Sequence, residues 1–265
     1  MTVILVRGTG DVGSAVAHVL YRAGHRVVLH DVPAPSHSRR GMAFVDALYE
    51  GEAELAGVLA KRARSLSALP HMLRCGRAVP VVDAPLERVI AEVQPQVLVD
   101  ARMRKHDQPE SQRGLASLTI GLGPWFEAGS TADAAVETAW GEDLGRVLWS
   151  GRTRDLEGEP QDIQGYARER YLYAPCAGVF STTLEIGDRV EKGQEIARIG
   201  DVSLLAPLSG RLRGLSHDGA PVVAGAKVVE VDPRGDTGLV AGLGDRPTRI
   251  AEGVLKAVCE AGTRR

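Results

Sequence analysis

The chain has 265 residues, 44% of them hydrophobic and 25% charged, a globular composition with room for one large or two modest domains. Lys and Arg number 32 against 34 Asp and Glu, and the net charge of -2 leaves no broad basic surface for nucleic acid or anionic lipid. The apolar run Val3-Ile4-Leu5-Val6 meets Arg7 and Gly8 at once, too soon for a signal peptide or a membrane span, so a cytoplasmic protein with no nucleic-acid or membrane partner is expected. Cys75, Cys176 and Cys259 are far apart, with no C-x-x-C pair and no histidine at ligand spacing, and neither a disulfide framework nor a metal site is expected.

The first segment carries the strongest pattern. After the apolar run and Arg7 come Gly8-Thr9-Gly10-Asp11-Val12-Gly13, then Val12, Ala15, Val16, Val19 and Leu20 at helical spacing, then Gly24 and the buried-strand run Val27-Val28-Leu29-His30-Asp31. Strand, glycine turn, helix, strand and terminal acid fit the opening βαβ unit of a dinucleotide-binding fold. In such a unit the turn lets an anion approach the helix amino end, so Gly8, Thr9, Gly10, Asp11 and Gly13 are candidate cofactor-binding residues. Asp31 lies 23 residues after Gly8, at the spacing of a ribose-binding acid, and would favour NAD over NADP. A lone glycine motif also serves close packing in proteins that hold no nucleotide.

Residues 33–40 are rich in Pro, Ser and His and form a loop leaving the second strand; Arg39 and Arg40 are candidates for a second anionic group, with a solvated basic loop as the rival. A short helix over 42–49 and a strand pair over 52–61 follow. Val79–Val82 reads as a strand, Leu86, Val89, Ile90 and Val93 as a helix face, and Val97-Leu98-Val99-Asp100 as a strand ending in an acid. Asp100, Lys105 and His106 are weak catalytic candidates by placement alone, with no recognisable dehydrogenase motif behind them. Leu118-Thr119-Ile120 is a further strand, running into the turn Gly121–Pro124. Val147–Trp149 is another, before a charged stretch over 151–165 that reads as a linker.

The second half contains a repeat. Ala174-Pro175-Cys176-Ala177-Gly178-Val179 returns as Ala206-Pro207-Leu208-Ser209-Gly210-Arg211, an offset of 206 − 174 = 32 residues, and Gly187–Gly193 and Ile196–Ile199 return as Gly219–Gly225 and Val228–Val231 in the same register. One copy of about 30 residues cannot bury its own apolar face, so two must close on each other. The Ala-Pro-x-x-Gly start and the turn Gly187–Gln194 resemble the biotinyl and lipoyl domain family, a pair of flattened sheets. The hairpin where that family carries its lysine is Gly200-Asp201-Val202-Ser203 here, so no biotin or lipoate is expected. The resulting expectation is an α/β protein: a Rossmann-like parallel-sheet domain over 1–150, a linker over 151–171, a small all-β biotinyl/lipoyl-like barrel-sandwich domain over 172–235 and a C-terminal helical segment over 236–265, with homo-oligomerisation left open.

The ordered set of motifs also resembles one family over nearly the whole length. These are Val6-Arg7-Gly8 with Gly10-Asp11, Arg39-Arg40 with Phe44 and Tyr49-Glu50-Gly51-Glu52, Val99-Asp100-Ala101, Ile120–Pro124 with Ala128-Gly129, Asp143–Val147, and the repeat closing on Asp232–Gly235. Together they look like the YqeB family, described as an accessory factor of selenium-dependent molybdenum hydroxylases. The resemblance implies a maturation factor with a client molybdenum hydroxylase as partner, holding a molybdopterin-type cofactor or a nucleotide at the glycine turn. An NAD-dependent oxidoreductase is the alternative, and a non-catalytic scaffold the weaker one.

Overall fold

A computed structural model describes residues 1–104, 107–155, 160 and 162–263. The first part runs β1 (Val3–Arg7), α1 (Asp11–Arg22), β2 (Arg26–His30), α2 (Ala47–Glu50), β3 (Glu52–Leu55), β4 (Val58–Arg62), α3 (Leu69–Cys75), β5 (Val79–Val82), α4 (Leu86–Val93), β6 (Val97–Asp100), β7 (Leu118–Leu122), β8 (Glu127–Ala128), β9 (Ala134–Val136), β10 (Val147–Leu148) and β11 (Gly151–Arg152). Nine of these strands form one sheet in the order β10-β9-β7-β6-β1-β2-β5-β4-β3. The central strands are parallel and apolar on both faces, as burial under helices requires. Ile4 and Val6 of β1 pack under α1, while Leu5 turns to the face covered by α3 and α4.

α1 buries Val12, Ala15, Val16 and Leu20, a stripe set by its 3.6-residue repeat. Leu20, fully buried, contributes on the order of 1.5–3 kcal/mol. α5 (Asp245–Thr263), the last helix of the chain, packs on the same core through Ile250, Ala251 and Val254, so the two ends of the chain share one hydrophobic core.

The second part adds β12 (Tyr171–Tyr173), β13 (Gly178–Ser181), β14 (Arg189–Val190), β15 (Glu195–Ile199), β16 (Val202–Leu205), β17 (Gly210–Leu215), β18 (Pro221–Val222) and β19 (Lys227–Asp232). They make two four-stranded antiparallel sheets, β12-β19-β17-β14 and β16-β15-β13-β18. A shift of 32 residues carries β13, β14 and β15 onto β17, β18 and β19, and β12 onto β16, so each sheet has the strand order of the other. β13 pairs with β18 and β17 with β14, so each repeat completes its sheet with a strand of the other copy. Phe180, Leu212, Val229 and Val231 fill the shared core.

The expected fold class needs correction. The large sheet is mixed rather than parallel: the hairpin β3–β4 closes one edge and the antiparallel strand β10 the other. Two further antiparallel sheets follow it, and the chain is not a Rossmann domain followed by a biotinyl/lipoyl domain. The physical reason lies at the edges. Local pattern marks β1 to β7 and β10 but not β8, β9 or β11, and the Ala56-Gly57 turn and the pairing of Val147 with Val136 set direction through contacts that short-range pattern does not encode.

Candidate functional site

The glycine turn is built by close backbone packing. A Cβ on Gly13 would lie 2.0 Å from the Gly8 carbonyl oxygen, and one on Gly8, whose φ is 110°, would lie 2.9 Å from the Ala101 carbonyl oxygen. Gly8 N–H donates to the His30 carbonyl at 2.7 Å, which ties the turn to the end of β2. Gly10 faces the His37 ring so closely that a Cβ there would lie 3.2 Å from Nδ1, and the chain's own imidazole covers the turn.

Asp31 is used by the protein itself. Its Oδ2 accepts from Thr9 N–H and from Thr9 Oγ1, both at 2.7 Å, and lies 3.1 Å from His37 Nε2; its Oδ1 accepts from Val32 N–H at 2.8 Å. Burial alone would raise this carboxyl, but the His37 contact and the two Thr9 bonds outweigh it and hold Asp31 at about 2. His37 is shifted the other way: burial lowers it, and Asp31 more than compensates and raises it.

Arg39 bridges the two parts of the chain. It donates to Asp11 at the start of α1 (2.9 Å) and, through Nε and Nη2, to both oxygens of Glu230 in β19 (2.8 and 3.2 Å). Glu230 is fully buried and also meets Arg170 at 3.0 Å, Lys227 at 2.7 Å and Arg213 at 3.7 Å. Leu215 N–H donates to the Ser38 carbonyl at 2.7 Å, and His217 stacks on Tyr49 and meets Glu50 at 2.7 Å. The helix amino end thus faces a carboxylate and a guanidinium already joined to the second part. Arg40 turns away to Asp46, at 2.9 Å.

A second cluster lies at the carboxyl ends of β1 and β6. β2 flanks β1 on one side and β6 on the other, so the chain reverses its direction across the sheet there, the switch point where open α/β sheets place ligands. Arg7 is buried beside Asp100 at 3.7 Å and donates to Gln112 and, at 3.3 Å, to Glu110. Arg102 holds Asp100 through Nε at 2.9 Å and Nη2 at 2.5 Å, and both Arg102 and Arg104 pair with Glu110. Three arginines therefore converge on Glu110, whose side chain is 48% exposed. Burial pushes the Arg7 guanidinium down to about 10; Asp100 opposes the shift while Arg102 and Arg104 add to it. Arg7 Nε is buried without a hydrogen-bond partner among the described residues. Lys105 and His106 lie outside the described residues. No group of three or more His, Cys, Asp or Glu among the described residues could hold a metal ion, and no helix among them is long and apolar enough to cross a membrane.

No family model matches the chain. The uncharacterized protein YqeB of Escherichia coli (strain K12) is 37% identical over 255 residues, 96% of this chain. Over that span the chain is a homologue of YqeB. The family resemblance carried by the motifs is supported by this relative, although the chain spans about half of its length, 47%. Solved structures that align with the chain include a succinylglutamate desuccinylase/aspartoacylase from Rhodobacter sphaeroides (16% identity, 81% of this chain and 61% of that one, TM-score 0.23). Others are the ectoine utilization protein EutE (DoeB) from Ruegeria pomeroyi (11%, 87% and 85%, TM-score 0.27) and an aspartoacylase family protein from Mesorhizobium loti (11%, 87% and 84%, TM-score 0.28). At such scores the alignments transfer no activity to a YqeB homologue.

The functional expectations are corrected accordingly. Neither the expected maturation factor for a molybdenum hydroxylase nor the alternative NAD-dependent oxidoreductase is carried forward. The geometry supplies a physical reason in the second case: the Asp31 oxygens expected to bind a ribose are engaged by Thr9, Val32 and His37. The structure brings Gly8 to Gly13, Asp31 and Arg39 together, and places Asp100 with Arg7 and Arg102. His37, Glu110 and Glu230 were not legible as site residues. The signals for them were slight: Arg7 closing an apolar strand directly before the turn, and Glu230 interrupting Val228-Val229-Glu230-Val231.

Proposed function

We propose that this chain binds a small anionic ligand, through a phosphoryl or carboxylate group, at the switch point of the large sheet. The observation that carries the reading is the convergence of Arg7, Arg102 and Arg104 on the half-exposed carboxylate of Glu110. Three cations share that carboxylate and Asp100, which leaves one positive charge in excess among these five groups. Guanidinium forks match phosphate and carboxylate oxygens in shape and charge. Glu110 occupies the position of such an anion, and a phosphate-bearing ligand such as a nucleotide takes its place when Glu110 turns to solvent. The reading is one of binding, carried by the guanidinium groups.

The test is calorimetric titration with inorganic phosphate. Glu110→Gln removes the internal competitor and is expected to raise phosphate affinity by roughly tenfold, the size of one charge-assisted contact regained. Arg102→Gln is expected to lower it by a similar factor. If folded wild-type and Glu110→Gln proteins bind no phosphate, the proposal is wrong.

A further inference from the structure

The opposite, amino edge of the large sheet carries a separate groove of about 360 Å³. Its wall includes Tyr21 and Arg22 at the end of α1, His25 and Arg26 at the start of β2, and Leu73 and Arg74 at the end of α3. Among the described residues, no acidic one lines it. The volume falls within the range of small-molecule sites, at the low end.

Arg22 and Arg74 lie in the last turns of their helices, where a cation complements the helix dipole. That explains two arginines taken singly. It does not explain why Arg26, which opens a strand, joins them in one concavity with no carboxylate to balance the three charges. Among the described residues, none of the three guanidinium groups has an ion-pair or hydrogen-bond partner. His25 adds a buried Nδ1 with no partner. The floor is held in place: Tyr21 Oη donates to the Gly76 carbonyl at 2.7 Å, which fixes the aromatic ring between α1 and the turn after α3. Leu73 is buried and presents an apolar surface beside these donors.

We infer that this groove is a binding site for a small phosphorylated organic molecule, its phosphoryl group held by Arg22, Arg26 and Arg74 and its organic body resting on Tyr21 and Leu73. The chemistry follows from the lining. Unpaired guanidinium groups select a multiply charged oxyanion. The aromatic and aliphatic wall selects against a bare ion and for one attached to an apolar group. The site is independent of the arginine cluster at the carboxyl edge, which shares none of its residues.

The probe is phenyl phosphate, followed by calorimetry and by NMR shift changes on the whole chain, with inorganic phosphate as the comparison. Phenyl phosphate is expected to bind roughly tenfold more tightly than inorganic phosphate, because its ring adds buried apolar contact. Arg22→Gln and Arg74→Gln, both at exposed positions, are each expected to weaken it by roughly tenfold, the loss of one charge-assisted contact. Affinity for the groove is read from the NMR shifts of Tyr21, His25 and Gly76, which line it, so that phosphate bound at the arginine cluster of the other edge does not enter the comparison. Equal affinity of the two probes at the groove, groove shifts that survive both substitutions, or no shift at Tyr21, His25 and Gly76 with either probe would each overturn the assignment.

Discussion

Glu230 is the point at which the two parts of the chain depend on one charge. It is fully buried, and Arg39, Arg170 and Lys227 all reach it within 3.2 Å, with Arg213 at 3.7 Å. The clustered cations hold its carboxyl well below the usual range against the opposing effect of burial. Glu230→Gln keeps the side-chain shape and removes the negative charge on which four cations converge, while Asp11 stays beside Arg39 and Asp232 beside Arg213. Removing one partner of a buried pair costs about 3–5 kcal/mol. For a chain of this size that lowers Tm by roughly 10 °C. Urea unfolding followed by circular dichroism measures the loss. The amide of Leu215, bonded to Ser38 across the junction, is expected to exchange faster with solvent. Lys227→Met makes the contrast. Burial, and Arg39 after it, push the Lys227 amine down to about 8, so the folded state holds that charge at a cost below pH 8 and recovers stability as pH rises from 8 towards 10.5. Its removal is expected to cost less than about 1 kcal/mol near neutral pH. A loss below about 1 kcal/mol for Glu230→Gln, with Leu215 still protected, would refute the view that this carboxylate joins the two parts.

Asp31 and His37 predict a pH window. The Asp31 pKa is depressed from 3.8 to about 2, so its contribution is present above 3.8 and is lost as pH falls towards 2, on the order of 2 kcal/mol. The His37 pKa is raised above 6.5, so the same contact contributes fully below 6.5 and fades as pH rises through the folded value. Unfolding midpoints measured from pH 2 to 9 are expected to peak between these limits in the wild type and to flatten in Asp31→Asn; an unchanged profile counts against the pair. Gly121→Ala would place a Cβ 2.0 Å from the buried Phe126 ring, and a loss of about 1–3 kcal/mol is expected from overpacking; unfolding in urea no easier than wild type would contradict it.

Local pattern sufficed for most elements. The continuous apolar runs Val3–Val6, Val79–Val82 and Val97–Val99 recur as strands buried on both faces, and the helical stripe from Val12 to Leu20 as a helix covering the sheet. The 32-residue repeat likewise announced two halves that must close on each other, and the paired sheets are that closure. Strand direction at the edges was not legible, since β10 is placed by pairing with β9 and by packing against α5.

For the site, the sequence by itself determined that Gly8 to Gly13 turn tightly between β1 and α1 and that Asp31 ends the next strand. Only the tertiary structure decided what those groups touch. Arg39 meets Glu230 across 191 residues of chain, and Arg7 meets Glu110 across 103. A charge finds its counter-charge through space, and in a folded chain that distance is set by the packing of whole elements, which no local spacing records.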